Sequence, residues 1–394
     1  MSWPLVNLES VAHINPRLPK GTDESQVVTF LKMASVSEGG ELLEQEKRIL
    51  SETKKGFTYF EKDDVLLAKI TPCFENGKAA LLDDLETQLG FGSTEFHVLR
   101  AEEGKLDSKY LFHLVWNEEF RFLGKHAMKG AAGQQRISTD FLKNLKIPLP
   151  PLETQKQIAA VLEKADQLRK DCQQMEQELN SLAQSVFIDM FGDVRSNSFN
   201  SKKVKFDDIF EINSKLVDPR LPEFENLPHI GPEHLEKRTG RILPYRTAKE
   251  DALVSGKFNF QKGCVLFSKI RPNLKKVAIP EFSGLCSADM YPLEAIDGVS
   301  TREFIWGLIL SDAFDDYLET LPSRANIPKI NRKELAAFEF YLPDLRDQKA
   351  YSKKLAKIQE QLKQNACLYQ ETENNFNALI QKAFKGELKR YNEY

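Results

Sequence analysis

Hydrophobic positions along this 394-residue chain fall into two kinds of pattern. The first is a run of alternating three- and four-residue steps: Ile158, Val161, Ala165, Leu168, Cys172, Met175, Leu179, Leu182 and Val186. Such steps form a heptad seam, and no Gly or Pro interrupts it before Gly192, which predicts one long helix over roughly residues 153–190. At about 1.5 Å per residue this helix is on the order of 55 Å long. A matching seam lies 197 residues later: Leu355, Ile358, Leu362, Asn365, Tyr369, Thr372, Phe376, Leu379 and Ala383, ending before Gly386. Asn365 and Thr372 make it the more polar of the two, which weakens packing but can fix register. A sustained heptad requires a partner helix, and two matched lengths in one chain favour an intramolecular coiled coil. Dimerisation through the same seams is the alternative.

The second kind of pattern is the short apolar run behind a polar turn. Val65-Leu66-Leu67-Ala68 and Val265-Leu266-Phe267-Ser268 read as buried strands. Residues 111–122 and 304–318, rich in aromatics, read as amphipathic helices. Each globular part is therefore mixed α and β, and the fold class is α+β.

These patterns occur twice. Val65-Leu66-Leu67-Ala68-Lys69-Ile70-Thr71-Pro72 returns as Val265-Leu266-Phe267-Ser268-Lys269-Ile270-Arg271-Pro272, with Lys, Ile and Pro in identical places. His13-Ile14-Asn15 answers Glu211-Ile212-Asn213, and residues 147–155 (IPLPPLETQ) answer residues 340–348 (FYLPDLRDQ). With the two helices, four blocks recur in the same order at offsets that drift among 198, 200, 193 and 197. A shared frame with loops of changing length explains the drift. The boundaries that follow are 1–151 for the first globular half, 152–192 for its helix, 193–344 for the second half and 345–394 for the second helix and tail.

Charge changes the picture locally rather than globally. The chain carries a formal net charge of -3, so no overall positive field draws it to nucleic acid. Residues 257–276 nevertheless hold Lys257, Lys262, Lys269, Arg271, Lys275 and Lys276 and no acid, a net +6 interleaved with Phe258, Phe260 and Phe267. Residues 121–146 carry a net +5, whereas residues 152–190 carry -3. Such stretches bind phosphates through counterion release, and Arg, Lys, Asn and Gln on a fixed scaffold read base edges. Solvated faces are the ordinary use of such clusters, but one strong cluster in each half favours DNA. The candidate DNA-contacting residues are Lys69, Lys78, Lys129, Gln134, Gln135, Arg136, Lys257, Lys269, Arg271, Asn273, Lys275, Lys276 and Lys329.

Catalytic signatures are missing from the sequence. It holds no Gly-x-x-x-x-Gly-Lys-Ser/Thr phosphate loop, and Leu149-Pro150-Pro151-Leu152 lacks the polar and aromatic neighbours of a base-methylating motif. Five widely spaced cysteines and six histidines show no metal spacing, so no catalytic residue, metal or cofactor is expected. Neither a secretion signal nor an apolar run of ~18 residues is present, which leads to the expectation of a cytoplasmic protein without a membrane partner.

The segments Ile147-Pro148-Leu149-Pro150-Pro151-Leu152-Glu153-Thr154-Gln155-Lys156-Gln157-Ile158 and Leu342-Pro343-Asp344-Leu345-Arg346-Asp347-Gln348 start the two helices, and Phe191-Gly192-Asp193 and Phe384-Lys385-Gly386-Glu387-Leu388 end them. In these segments the chain resembles, over its whole length, the specificity subunit of Type I restriction-modification systems; the second copy, with Asp344 in place of the second proline, is more diverged. The resemblance implies two pseudo-symmetric target recognition domains, each reading one half of a bipartite double-stranded DNA site. It implies an antiparallel pairing of the long helices that sets the spacer between the half-sites. It also implies partners: modification subunits carrying S-adenosylmethionine and ATP-dependent restriction subunits, with this chain non-catalytic. The alternative is a coiled-coil scaffold that binds only proteins.

Overall fold

The structure is a computed structural model that describes residues 3–131, 133–197, 201–212, 215–322 and 328–388; Asn213 of the repeated block lies outside them. The chain forms two compact units, Met1–Asp171 with Tyr369–Tyr394, and Cys172–Leu368.

In the first unit a four-stranded antiparallel sheet has the order Ala12–Ile14, Phe96–Ala101, Val65–Ala68, Ala79–Leu81. A second sheet has the order Glu46–Ile49, Val27–Leu31, Leu89–Gly92, Thr58–Glu61, its middle pair parallel. The strand Val65–Ala68 is buried at all four positions because alternate side chains serve two cores. Val65 and Leu67 pack towards the helices, while Leu66 packs with Leu31 and Phe60 of the second sheet. Gly90 lies opposite Phe60 in the ladder, and a Cβ there would come within 2.4 Å of that ring, so the aromatic side chain demands glycine.

The second unit repeats the order Phe210–Ile212, Met290–Ala295, Val265–Ser268, Val277–Ala278 in one sheet and Arg246–Thr247, Pro228–Ile230, Gly284–Cys286, Lys257–Phe260 in the other, where a fifth strand, Leu216–Val217, is added beside Lys257–Phe260. Val265 and Phe267 again face one core and Leu266 the other, and Gly284 again lies opposite a phenylalanine, Phe260. A ribbon closes each half, Leu5–Asn7 with Lys146–Pro148 and Lys202–Lys205 with Glu339–Leu342.

The single amphipathic helix expected in each half is two. Ser108–Trp116 stops at Asn117, whose side chain accepts the Phe120 N–H at 2.8 Å and starts Glu118–Ala127. Arg302–Leu310 likewise gives way at Ser311 to Asp312–Thr320. A polar cap inside a continuous apolar pattern lets the chain turn without losing its buried face.

The long helices are Leu152–Phe191 and Leu345–Lys385, and they pair antiparallel within each unit. Arg169 reaches Glu373 at 3.3 Å in the first. In the second, Asn365 donates to the Cys172 carbonyl at 2.8 Å and Phe187 packs on Tyr351 with ring centroids 5.5 Å apart. Every position of the second seam is buried or half-buried, Asn365 and Thr372 included. The first seam is displaced: Val161 and Leu168 in one unit, and Met175 and Leu182 in the other, are exposed, the middle two at 54% and 50%. The buried face keeps Ile158 and Cys172 of the seam and otherwise runs through Ala159, Leu162, Asp166, Ala183, Phe187 and Phe191. The cause is a second set of neighbours. Ile158, Ala159 and Leu162 share one core with Phe376 and Ile380 of the other long helix and with Leu111, Leu114 and Val115 of the globular half, which turns the buried face by about one residue.

Gln155 and Gln348, equivalent residues near the helix starts, are both fully buried. Gln155 accepts the Asp107 N–H at 2.9 Å and donates to the Lys105 and Pro150 carbonyls. Gln348 accepts the Thr301 N–H at 3.1 Å and donates to the Val299 and Pro343 carbonyls. In each unit one amide side chain ties the cap of the first globular helix to the start of a long helix.

Candidate nucleic-acid interface

The buried strand of each half is followed by a lysine, Lys69 or Lys269, and a second segment anneals to that end. In the first half Ile137 donates to the Lys69 carbonyl at 2.9 Å and Thr71 to the Gln135 carbonyl at 3.0 Å. In the second, Ile330 donates to Lys269 at 3.0 Å and Arg271 to Pro328 at 2.7 Å. The same pairing therefore brings Arg136 beside Lys69 and Lys329 beside Lys269.

Each place also holds a carboxylate. Ser93 Oγ accepts the Glu95 N–H at 3.2 Å, and Ser287 Oγ accepts the Asp289 N–H at 3.2 Å, so an identical turn presents both acids. Glu95 receives Nε and Nη2 of Arg136 at 2.9 and 2.8 Å. The Arg136 guanidinium, with help from the Lys69 charge, holds its carboxyl below the usual range. Asp289 lies 3.8 Å from Lys269 Nζ and 3.5 Å from Lys329 Nζ. Behind each pair a ring side chain contacts the annealed segment: His97 Nε2 lies 3.0 Å from the Ile137 carbonyl, and Tyr291 Oη donates to the Ile330 carbonyl at 3.2 Å. Burial pushes the His97 imidazole down, so the neutral ring that can form this contact is favoured.

Glu95, His97, Asp289 and Tyr291 were not among the sequence candidates. The signal was present, because residues 93–101 (STEFHVLRA) and 287–295 (SADMYPLEA) share Ser, an acid, a ring, Leu and Ala at an offset of 194. A search for basic residues passes over it.

The remaining candidates divide by environment. Lys129, Gln134, Arg271 and Asn273 are exposed and Gln135 is half-buried. Arg271 and Asn273 occupy the tight turn around Pro272–Leu274, with Arg271 at φ 48°. Lys78 donates to the Met33 carbonyl at 3.4 Å and Lys276 to the Pro232 carbonyl at 2.6 Å, while Lys269 also donates to the Ala288 carbonyl.

Two candidates require correction. Lys275 is completely buried: it donates to the Leu310 and Ser311 carbonyls at 2.8 and 2.7 Å and lies 2.5 Å from Asp315. It satisfies the carbonyls at the end of the helix Arg302–Leu310. Lys257 is 6% exposed and donates to the Ser255 carbonyl and hydroxyl. Both ammoniums are held by groups of the chain itself, and the net +6 of residues 257–276 is further offset by acids from elsewhere in the chain, Glu281, Asp289 and Asp315.

His229 and His234 are engaged locally, His229 Nδ1 2.9 Å from Asp251 and His234 Nδ1 accepting the Gly231 N–H at 2.9 Å. Among the described residues no cluster of three or more His, Cys, Asp or Glu could hold a metal ion. Among the same residues no helix is long and apolar enough to cross a membrane.

Comparison with known proteins returns the duplication. The family model described as the Type I restriction modification DNA specificity domain matches residues 2–181 and again residues 200–374. The EcoEI specificity subunit of Escherichia coli is 36% identical over 179 residues, 45% of this chain and 29% of that protein. The EcoDI specificity subunit, also of Escherichia coli, is 36% identical over 194 residues, 47% of this chain and 41% of that protein. The matches thus span less than half of these relatives. Two solved structures share the fold: a chain from a study of assembly and conformational transition of the type I R-M system (TM-score 0.57, 20% identity, covering 98% of each chain), and the Type I S subunit of M. genitalium (TM-score 0.57, 14% identity, 97% of this chain and 96% of that one). With the specificity-domain model matched twice along most of its length, the chain belongs to the Type I restriction-modification DNA specificity family.

Proposed function

We propose that this chain is the DNA sequence-recognition subunit of a Type I restriction-modification complex and directs chemistry that other subunits perform. Residues 1–151 and 193–344 each read one part of a bipartite double-stranded site. The long helices, 152–192 and 345–394, set the spacer between the parts and receive the methyltransferase subunits, with restriction subunits joining that complex. Sites on one face of DNA recur about every 34–36 Å, so a helical ruler converts its length into a permitted spacing.

The observation that carries this reading is a frame kept twice whose equivalent positions hold different side chains. Phe60 and Phe260 occupy equivalent ladder positions, yet three residues earlier the first half has Phe57 and the second Lys257. Leu31 and Ile230 are likewise equivalent, but their flanking residues are Phe30 and Lys32 in one half and His229 and Gly231 in the other. One scaffold carrying different side chains at equivalent positions suits the reading of two different half-sites.

Exchanging residues 1–151 for those of a relative, expressing the chimera with its modification genes and sequencing the methylome tests the reading. One half of the methylated motif should change and the other should persist. A motif unchanged in both halves would refute the two-reader arrangement.

A further inference from the structure

We infer that the two cation pairs, Lys69 and Arg136 near Glu95 and Lys269 and Lys329 about Asp289, grip the sugar-phosphate backbone of DNA and contribute no sequence selectivity. This rests on the recognition reading above and assigns a separate task to part of that surface.

The argument begins from the duplication. The halves differ where Phe57 meets Lys257, Phe30 meets His229 and Lys32 meets Gly231, but here they agree in detail. The serine turn, the carboxylate it presents, the ring behind it and the annealed segment bringing the second cation all recur. A device common to two halves that read different sequences cannot encode the difference between those sequences. What both half-sites share is the phosphate backbone, whose contacts position a protein without specifying bases.

The charges fit that ligand. Each place sets two cations near one carboxylate, Arg136 paired with Glu95 beside the Lys69 charge and Lys269 and Lys329 at 3.8 and 3.5 Å from Asp289, and so retains positive charge in a chain whose formal net charge is -3. The carboxylate holds the guanidinium or ammonium in place before DNA arrives, which lowers the ordering cost of a phosphate contact. A purely structural role accounts for the pairs poorly. The side chains of Arg136 and Lys329 are 43% and 46% exposed, and ion pairs so open to water stabilise a fold little. Lys275 shows the contrast, since its buried ammonium is consumed by helix carbonyls and Asp315.

The test uses the complex of this chain with its modification subunits and two duplexes, one carrying the methylated site and one unrelated. Arg136→Gln, Lys329→Gln, the double variant and the charge-preserving Arg136→Lys are titrated against salt, with thermal unfolding as the folding control. The slope of log affinity against log salt should fall by about one for each cation removed. The loss should be equal on both duplexes, the methylated motif should stay unchanged, and Arg136→Lys should keep the slope. A slope untouched in the double variant, or a motif altered at either half-site, would overturn the assignment. A wild-type complex that prefers neither duplex would instead defeat the recognition reading itself.

Discussion

Replacing Gln155 by Leu removes the amide that joins the first globular helix to the long helix while keeping most of the side-chain volume. Gln155 is fully buried. Its loss leaves the Asp107 N–H without the acceptor now at 2.9 Å, and takes a donor from the Lys105 and Pro150 carbonyls, each also at 2.9 Å. An orphaned buried polar group costs about 1–3 kcal/mol. Carbonyls are the more forgiving of the two, so the three together predict a loss of about 2–4 kcal/mol. Asp107 is the residue whose side chain caps Ser108–Trp116, so the damage should concentrate at that helix start. Urea unfolding measures the total, and hydrogen exchange at the Asp107 amide reports the site. Gln157→Leu, at an exposed position of the same long helix, is the control and should change stability by less than roughly 0.5 kcal/mol. If Gln155→Leu costs no more than the control, or the Asp107 amide stays protected, the clamp is not what holds these elements together. Gln348→Leu should act in the same direction but less strongly, because two of its three bonds are longer, at 3.1 and 3.3 Å.

His113 is buried, neither of its ring nitrogens has a hydrogen-bond partner among the described residues, and burial pushes its pKa from 6.5 to about 4, with the Asp166 charge opposing. The unfolded chain takes up this proton near pH 6.5 while the folded one resists until about pH 4. Stability present above pH 6.5 should thus be lost on acidification through that window, by on the order of 3 kcal/mol. His113→Phe should flatten the dependence in urea unfolding at pH 7 and pH 5, and equal losses in variant and wild type would disprove the cause. Val161 and Leu168 are exposed apolar side chains on the part of the first long helix that belongs to the first unit, a face open to a partner helix. Val161→Glu with Leu168→Glu should leave unfolding nearly unchanged while reducing co-purification with the modification subunit, and undiminished recovery of the complex would exclude this face.

The mixed α and β class, the duplication and the paired long helices were legible because each leaves a periodic trace. The second seam was legible to the residue, including Asn365, which donates across the helix pair. The first was the cleaner pattern in sequence and the less faithful guide. A heptad reports which side chains are apolar, but not that a globular half also packs on the helix and draws Ala159 and Leu162 inward while Leu168 stays in water. The helix break at Asn117 was hidden for a related reason, since a cap inside an apolar pattern leaves the hydrophobic count unchanged.

The basic stretch marks the limit most clearly. Linear charge counting grouped Lys257, Lys269, Lys275 and Lys276, although Asp289 and Asp315, which answer two of them, come from a later turn and a later helix. Conversely, the device shared by the halves is built from Lys69, Glu95 and Arg136, and from Lys269, Asp289 and Lys329, each distant in the chain. By itself the sequence determined the repeating frame, because strand and helix periods are local properties of backbone geometry. Only tertiary structure decided which cations are buried, which are paired and which helix face stays open, because electrostatics and burial depend on neighbours that the chain order does not name.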